Sequence, residues 1–588
     1  MWRSIRRHLF RRSPQAPERS PEGCRLFDIP WIIILVQFIV ILALVLGLFA
    51  FFLTRSDSPT TAVYSTKTYQ NFELQTLSPS SSLLAFRRLY KSSTESPQGV
   101  DFDFSEDQNP VEASAPKVSS PTMATTGTTK SHQSAVLEAE SANSIEVFEN
   151  EETFRAAVFT SSVTCSEIGK SILVRGGNAV DAAIAASFCL MGAVPNKASL
   201  GGGMMMTVKS RNGTATSIIA RESAPMNTNL NELKENPELT HIGSKASGTP
   251  GTLNGLYRSF QKFASNRIPW KHLVLPTVHQ CNKGFKLTED LRNRSSAPAF
   301  AAFFKSNLRN NKLFYTTLAA LLTDISEYEN PLDAFYHGDT AQILVNEIGG
   351  YLMVSDLEDY ESDTNPAICA EIDTGTKVCG PGPPSAFAVV ANTYLVTKNM
   401  SNLSKVNEVV RSSIGLASKI ADPMFAKNSQ KYAEELARTS KRASVESKDL
   451  GVKFKEDGST EVYVIDENNM TVSVTLSLGD DFGSLVYSTS GFFWNNKLRF
   501  FDLKNSNSPL SLHPGKVPTT FNSPIIVIKN NSVLAVSGGS DVSGLVHLLR
   551  DITHRNYDAS KVAPSLFVQN SAVFLKSPSN NKYSITGY

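Results

Sequence analysis

Apolar and polar positions along the chain fall into three regimes. The first is a continuous apolar run over residues 31–53, WIIILVQFIVILALVLGLFAFFL, uncharged and broken only by Gln37. A helix of that length crosses about 30 Å of hydrocarbon. It exceeds the roughly 7–15 residues of a secretory-signal core, and 30 residues precede it. The run predicts a transmembrane helix. In the second regime, residues 54–145, periodicity disappears. Segments such as SPTTAVYSTKTY, LSPSSS and SSPTMATTGTTKSHQSA cannot bury enough apolar surface to offset the entropy of ordering them, and predict an extended stalk. The third regime, residues 146–588, has globular patterning. Ser161–Val174 reads as a helix stopped by Gly176-Gly177. Asn178 then caps the helix NAVDAAIAASFCLMG, with Val180, Ile184 and Phe188 on one face.

Charge orients this chain. Residues 1–30 carry Arg3, Arg6, Arg7, Arg11, Arg12, Arg19 and Arg25, whereas the 30 residues after Leu53 carry only Arg55 and Lys67. Basic flanks stay cytoplasmic, so 1–30 is expected to be a cytoplasmic tail of a type II single-pass plasma-membrane protein with an extracellular ectodomain. Sequons at Asn212, Asn293, Asn399, Asn402, Asn469 and Asn530 agree with a glycoprotein. Net charge is +2, with no basic footprint for nucleic acid beyond the N-terminal tail. Six cysteines match no zinc spacing, and no metal is expected. Cys165 and Cys189 fall near the outer ends of the helical hairpin, where a lumenal compartment favours a bridge. Cys369 and Cys379, ten residues apart, would suit a hairpin bridge.

Several segments then follow in order. CSEIGKSILVRGGNAVDAAIAASFC, LGGGMMM and RESAP are followed by GTPGTLNGL, IPWKHLVLPTVHQCNKGF, NPLDAFYHGDTAQILVNEIGG and PGPPSAFAV, then by ADPMF, STEVYVIDENNMTVSVT, SGFFWNN and SGGS. Gly201–Gly203 lacks the G-K-[ST] that a phosphate loop needs and predicts close helix–strand packing. Over residues 147–550 the chain resembles the γ-glutamyltranspeptidase, or glutathione hydrolase, family.

That resemblance implies an α/β fold, an αββα sandwich of the N-terminal-nucleophile hydrolase type. It implies self-cleavage between Gly458 and Ser459, giving a large part (146–458) and a small part (459–588) in which Ser459 is the N-terminal nucleophile. Its α-amine, with a pKa of about 8, can act as base for its own hydroxyl. Gly458 would supply the strained backbone such a site needs. Gly538 and Gly539 would form the oxyanion site. Arg221, as a bidentate fork on the substrate α-carboxylate, with Thr520 and Ser477, makes the expected substrate-binding set. The implied donor is glutathione or another γ-glutamyl compound, the acceptor an amino acid or water, with no cofactor. The residues themselves also allow plainer roles. GST reads as a hairpin turn between KFKED and EVYVI, the glycine pair as a tight turn after VLAV, and the arginine as an ion-pair residue.

The chain departs from the family pattern where the substrate ammonium should dock. Asn495-Asn496 is followed by Lys497, Leu498, Arg499 and Phe500 instead of acidic residues, and cations there repel an ammonium. Asp502 could substitute only through a bulge. Glu461 replaces a His, Gly479 an Asn, Ser477 a Thr, and Phe521 the second Ser of a pair. The short C-terminus suggests that a final strand pair is lost or remodelled. Three readings follow: a γ-glutamyltranspeptidase, an amidase with another acyl donor, or a catalytically inactive pseudoenzyme serving as a surface binding or scaffold protein.

Overall fold

The computed structural model describes residues 156–441, 456–554, 572–576 and 583–587. The membrane and stalk readings for 31–53 and 54–145 lie outside the described residues.

The predicted helical hairpin forms as α1 (Val163–Val174) and α2 (Ala179–Ala193). Asn178 closes a capping box: its side chain accepts from the Val180 and Asp181 N–H groups, while Asp181 accepts from the Asn178 N–H. The pattern suggested one apolar face, but every residue of α2 is buried. Its alanines let neighbours approach from all sides.

A six-stranded antiparallel sheet lies beneath this hairpin. Its strands are β1 (Ala157–Thr160), β2 (Gly203–Lys209), β3 (Ala215–Ala220), β4 (Asp363–Pro366), β7 (Gly458–Ile465) and β8 (Thr471–Gly479). Their order is β1-β7-β8-β2-β3-β4. A second sheet is built from β5 (Ile368–Asp373), β6 (Thr376–Gly380), β9 (Ile525–Lys529) and β10 (Ser532–Ser537), in the order β10-β9-β6-β5.

Strand alternation explains the layering. Val462 and Val464 of β7 join the core shared with α1, α2, α3 (Thr252–Phe263), α4 (Trp270–Lys283) and α5 (Thr316–Glu327). Tyr463 and Ile465 face the other way and meet Ile526, Ile528, Val533 and Val536 of the second sheet. Ile525 and Val527 of β9 point outward to α6 (Phe387–Thr397), α7 (Ser429–Ala437) and α8 (Val542–His554). Three apolar cores therefore separate four layers, helix–sheet–sheet–helix. The Gly202 carbonyl accepts from the Gly251 and Thr252 N–H groups at the start of α3, so the glycine run does bring a helix against β2. The last described strands, β11 (Ala572–Lys576) and β12 (Tyr583–Gly587), pair antiparallel, and β11 lies alongside β10.

Cys165 and Cys189 form a disulfide joining α1 to α2, and Cys369 and Cys379 form a second between paired positions of β5 and β6. Cys281 is free and buried, and burial pushes its thiol up to about 12. Replacing Cys165 and Cys189 together by Ser should cost about 3 kcal/mol of stability, from loop entropy over the 24-residue separation. Denaturant midpoints of the oxidised wild type and the double variant check this.

Candidate functional site

Antiparallel register gathers the predicted residues at one end of the sandwich. Ser459 at the start of β7 pairs with Ser477 near the end of β8, and Ser477 pairs with Gly203 at the start of β2. Met204 pairs with Ala220, so Arg221 emerges from β3 at the same end. In the second sheet Ile525 pairs with Ser537, which puts Thr520 and Asn522, ahead of β9, beside Gly538 and Gly539, behind β10. Ser459, Glu461 and Tyr463 alternate along β7 and share its face toward the second sheet.

GST is thus the opening of a strand, not the apex of a hairpin. Its register shifts between Gly458 and Ser459. Gly458 is required by close approach rather than by an unusual φ, since a Cβ there would lie 1.9 Å from the Asp480 carbonyl oxygen. Gly479 has φ +100, and a Cβ on it would meet Asn496 Oδ1 at 2.3 Å. Any side chain at this φ is strained, so the backbone here suits the glycine that stands in place of the Asn.

A carboxylate that the sequence did not single out organises the site. Glu456, 2 % exposed, lies ahead of the Gly458–Ser459 bond. Its Oε2 accepts from Arg221 Nη1 (3.0 Å), Lys497 Nζ (2.5 Å), Ser477 Oγ (2.7 Å) and Asn522 Nδ2 (3.0 Å). Its Oε1 accepts from Thr520 Oγ1 at 2.5 Å. Arg221 touches this carboxylate through one nitrogen, not as a bidentate fork, because Oε2 is shared with Lys497 and two neutral donors. Arg221 Nε faces Glu222 at 4.0 Å, and Nε and Nη2 have no hydrogen-bond partner among the described residues.

Burial opposes the charge on Glu456, but Arg221 and Lys497 outweigh it and hold the carboxyl well below the usual range. Burial likewise opposes the charge on Arg221, which Glu456 and Glu222 overcome, raising its pKa. Glu222 is fully buried and its pKa is raised by that burial, with Lys497 and Arg221 pulling the other way. Lys497 is depressed by burial and by Arg221. Lys497 is set by the Asn pair before it: Asn495 accepts from the Lys497 N–H and donates to the Gly201 and Gly248 carbonyls. Asn496 donates to the His241 carbonyl and to Asp480. Arg499 turns away to pair with Asp480. Asp502 accepts from the Lys504 and Asn505 N–H groups, so it caps a turn and does not enter the pocket.

At the other end of Glu456, its carbonyl oxygen accepts from Ser540 Oγ (3.1 Å) and Ser459 Oγ (3.5 Å). Glu461 lies two residues along the same face of β7, and burial pushes its carboxyl up to about 8, against smaller downward pulls from Lys197 and Ser459. The glycine turn sits opposite: Gly539 has φ +108 with Glu461 Oε1 3.4 Å from where its Cβ would be, and the Ser523 N–H donates to the Gly539 carbonyl at 3.0 Å. Phe521 is buried in the outer helical core.

Sequence reasoning missed Glu456, Asn522 and Ser540, and saw Lys497 only as a repulsive cation. Asn522 had a signal, since it alternates with Thr520 along an extended segment and shares its side. Among the described residues no His, Cys, Asp and Glu cluster could hold a metal ion.

Comparison with known proteins places these segments together in other chains. The Gamma-glutamyltranspeptidase family profile matches residues 165–558. "Glutathione hydrolase 2" of Arabidopsis thaliana is 28% identical over 490 residues, covering 73% of this chain and 83% of that protein. "Glutathione hydrolase proenzyme 1" of Schizosaccharomyces pombe is 29% identical over 458 residues, covering 69% and 72%. Among solved structures, a cephalosporin acylase from Bacillus halodurans superposes with a TM-score of 0.61 at 18% identity, over 78% of this chain and 99% of that one, which shows a shared fold.

Proposed function

The chain belongs to the γ-glutamyltranspeptidase family, and from that premise we propose that it cuts itself between Gly458 and Ser459 and then hydrolyses or transfers carboxylate-bearing acyl groups of the γ-glutamyl type. Glutathione is the first donor to test, with water or an amino acid as acceptor. The observation that carries the reading is that Ser459, Glu461 and the Gly538-Gly539 turn come together at one end of the two sheets. In self-cleavage, Ser459 Oγ attacks the Gly458 carbonyl carbon and the peptide C–N bond breaks. Gly458 is left as an ester on Oγ, and the freed α-amine takes the proton. Water then splits the ester. Gly538 and Gly539 N–H groups would stabilise the oxyanion. Arg221, Ser477 and Thr520, which hold the Glu456 carboxylate in the uncut chain, would hold the substrate carboxylate.

The anchor is part of the proposal: a type II protein held in the plasma membrane by residues 31–53, with the ectodomain outside. Support comes from the Arg-rich residues 1–30 and from two disulfides, which persist in oxidising compartments. The alternative, a non-catalytic surface binding protein, draws on one observation: Lys497 stands in the substrate pocket where an acidic residue was expected.

Expression of the full-length chain, a denaturing gel and N-terminal sequencing decide between them. The expected result is a small chain beginning at Ser459; a single uncut chain sinks the catalytic reading. Gly458→Ala should slow self-cleavage by about tenfold or more, because its methyl group would displace the scissile bond from Ser459, and a displacement of about 1 Å costs up to 10²-fold in rate. A pulse-chase time course measures it.

A further inference from the structure

We propose that the acyl pocket selects glutaryl-type amides, whose free carboxylate carries no neighbouring ammonium, over γ-glutamyl amides; the inference rests on the proposed function and narrows its substrate class.

Glu456 occupies the site as a substrate would. Its main-chain carbonyl lies at the hydroxyls of Ser459 and Ser540. Its side-chain carboxylate lies among Arg221, Lys497, Ser477, Asn522 and Thr520. From that carbonyl carbon through Cα, Cβ and Cγ to the carboxylate, Glu456 spells the carbon chain of a glutaryl group. A γ-glutamyl group has the same chain length, but it carries an ammonium on the carbon next to its carboxylate. At that end of the pocket every group reaching the carboxylate is placed as a donor, and Lys497 is itself an ammonium at 1 % exposure. Glu222, the acidic neighbour, faces the two cations already present, 4.0 Å from Arg221 Nε and 3.9 Å from Lys497 Nζ.

The charge balance gives the same answer whichever way Glu222 is protonated. Withdrawing Glu456 removes one negative charge from a buried site holding Arg221 and Lys497. A glutaryl amide, net −1, restores it. A γ-glutamyl amide, net zero, brings its carboxylate together with a second ammonium beside Lys497, and a buried like-charge contact is the stronger for lack of water. In the reaction, Ser459 Oγ attacks the amide carbon and its proton passes through the Ser459 α-amine to the departing amine. The C–N bond breaks, and water then splits the glutaryl ester to glutarate and free Ser459 hydroxyl.

Two measurements test this. On the self-cleaved full-length chain, kcat/KM for glutaryl-p-nitroanilide should exceed that for L-γ-glutamyl-p-nitroanilide by about tenfold or more, and Lys497→Gln should shrink the ratio. Equal or faster turnover of the γ-glutamyl compound overturns the inference while leaving self-cleavage and the proposed function standing. Turnover of neither by a cut chain overturns it too. The second measurement needs no turnover. Glu456→Ala in the full-length chain opens the pocket, and calorimetric titration should show glutarate binding about tenfold or more tighter than L-glutamate. Glu456→Ser, which also vacates the pocket, serves if the alanine variant does not fold. Equal affinities, a preference for L-glutamate, or binding of neither by a folded variant overturns the inference, even where the chain never cuts itself.

Discussion

Ser459→Ala should leave the full-length chain uncut and abolish amide hydrolysis. Both events draw on the same hydroxyl, so one substitution removes both. Loss of a nucleophile in enzymes of comparable logic costs on the order of 10⁶ in rate, which puts the residual activity below detection. The control for misfolding is built into the geometry. Ser459 is half-buried, and its Oγ makes one 3.5 Å contact, with the Glu456 carbonyl. Its removal should therefore change stability by about 1 kcal/mol or less. An uncut chain with an unchanged melting profile places the defect in chemistry rather than in folding. Ser459→Thr keeps a hydroxyl at the same position and should restore cutting. Ser477→Ala should behave differently, cutting normally but weakening donor binding, because Ser477 touches the carboxylate end of the pocket and not the scissile bond. A Ser459→Ala chain that still yields a fragment beginning at residue 459 would remove Ser459 from the mechanism.

The parts of this architecture that were legible in the sequence are those set by neighbours along the chain. Asn178 announced the capped helix because a cap is a local bond. EVYVI announced a strand because Val462 and Val464 alternate with Tyr463 and Ile465, and each pair found its own apolar layer. Strand β8 was harder. Its Thr471, Ser473, Thr475 and Ser477 are polar in sequence, yet all are buried, with Ser473 donating to the Ser537 carbonyl. The centre of the site was illegible for a stronger reason. Glu456 sits in the charged run KFKED, and its five partners come from Arg221, Ser477, Lys497, Thr520 and Asn522, brought together only by strand register. Lys497 taken alone is a cation in the wrong place; next to Glu456 it is half of a buried pair.

Glu461→Gln should produce the second large effect, in how stability and cutting depend on pH. Burial holds the Glu461 carboxyl protonated up to about pH 8, against 4.5 for an ordinary glutamate. Between those values the folded chain keeps a proton that the unfolded chain has released. The stability from this group is therefore complete below pH 4.5, falls by about 1.4 kcal/mol per pH unit as pH rises, and is gone above 8. Glutamine cannot titrate, so the stability difference between the two chains should drift by about 4 kcal/mol from roughly pH 5 to pH 8, in favour of the variant. Denaturant midpoints check it, with both chains carrying Ser459→Ala so that neither is cut. The same proton governs chemistry. Glu461 lies two residues from Ser459 on the same face of β7, and its carboxyl can take the Ser459 proton only when ionised. Self-cleavage of the wild type should then speed up about tenfold per pH unit toward pH 8 and level off, while Glu461→Gln cuts slowly at a rate that pH hardly moves. A stability difference that stays level between pH 5 and 8 would mean that Glu461 is ionised in the folded chain. The electrostatic assignment at the nucleophile would then have to be reversed, with Glu461 a standing carboxylate and the Ser459 α-amine the sole group that titrates near neutrality.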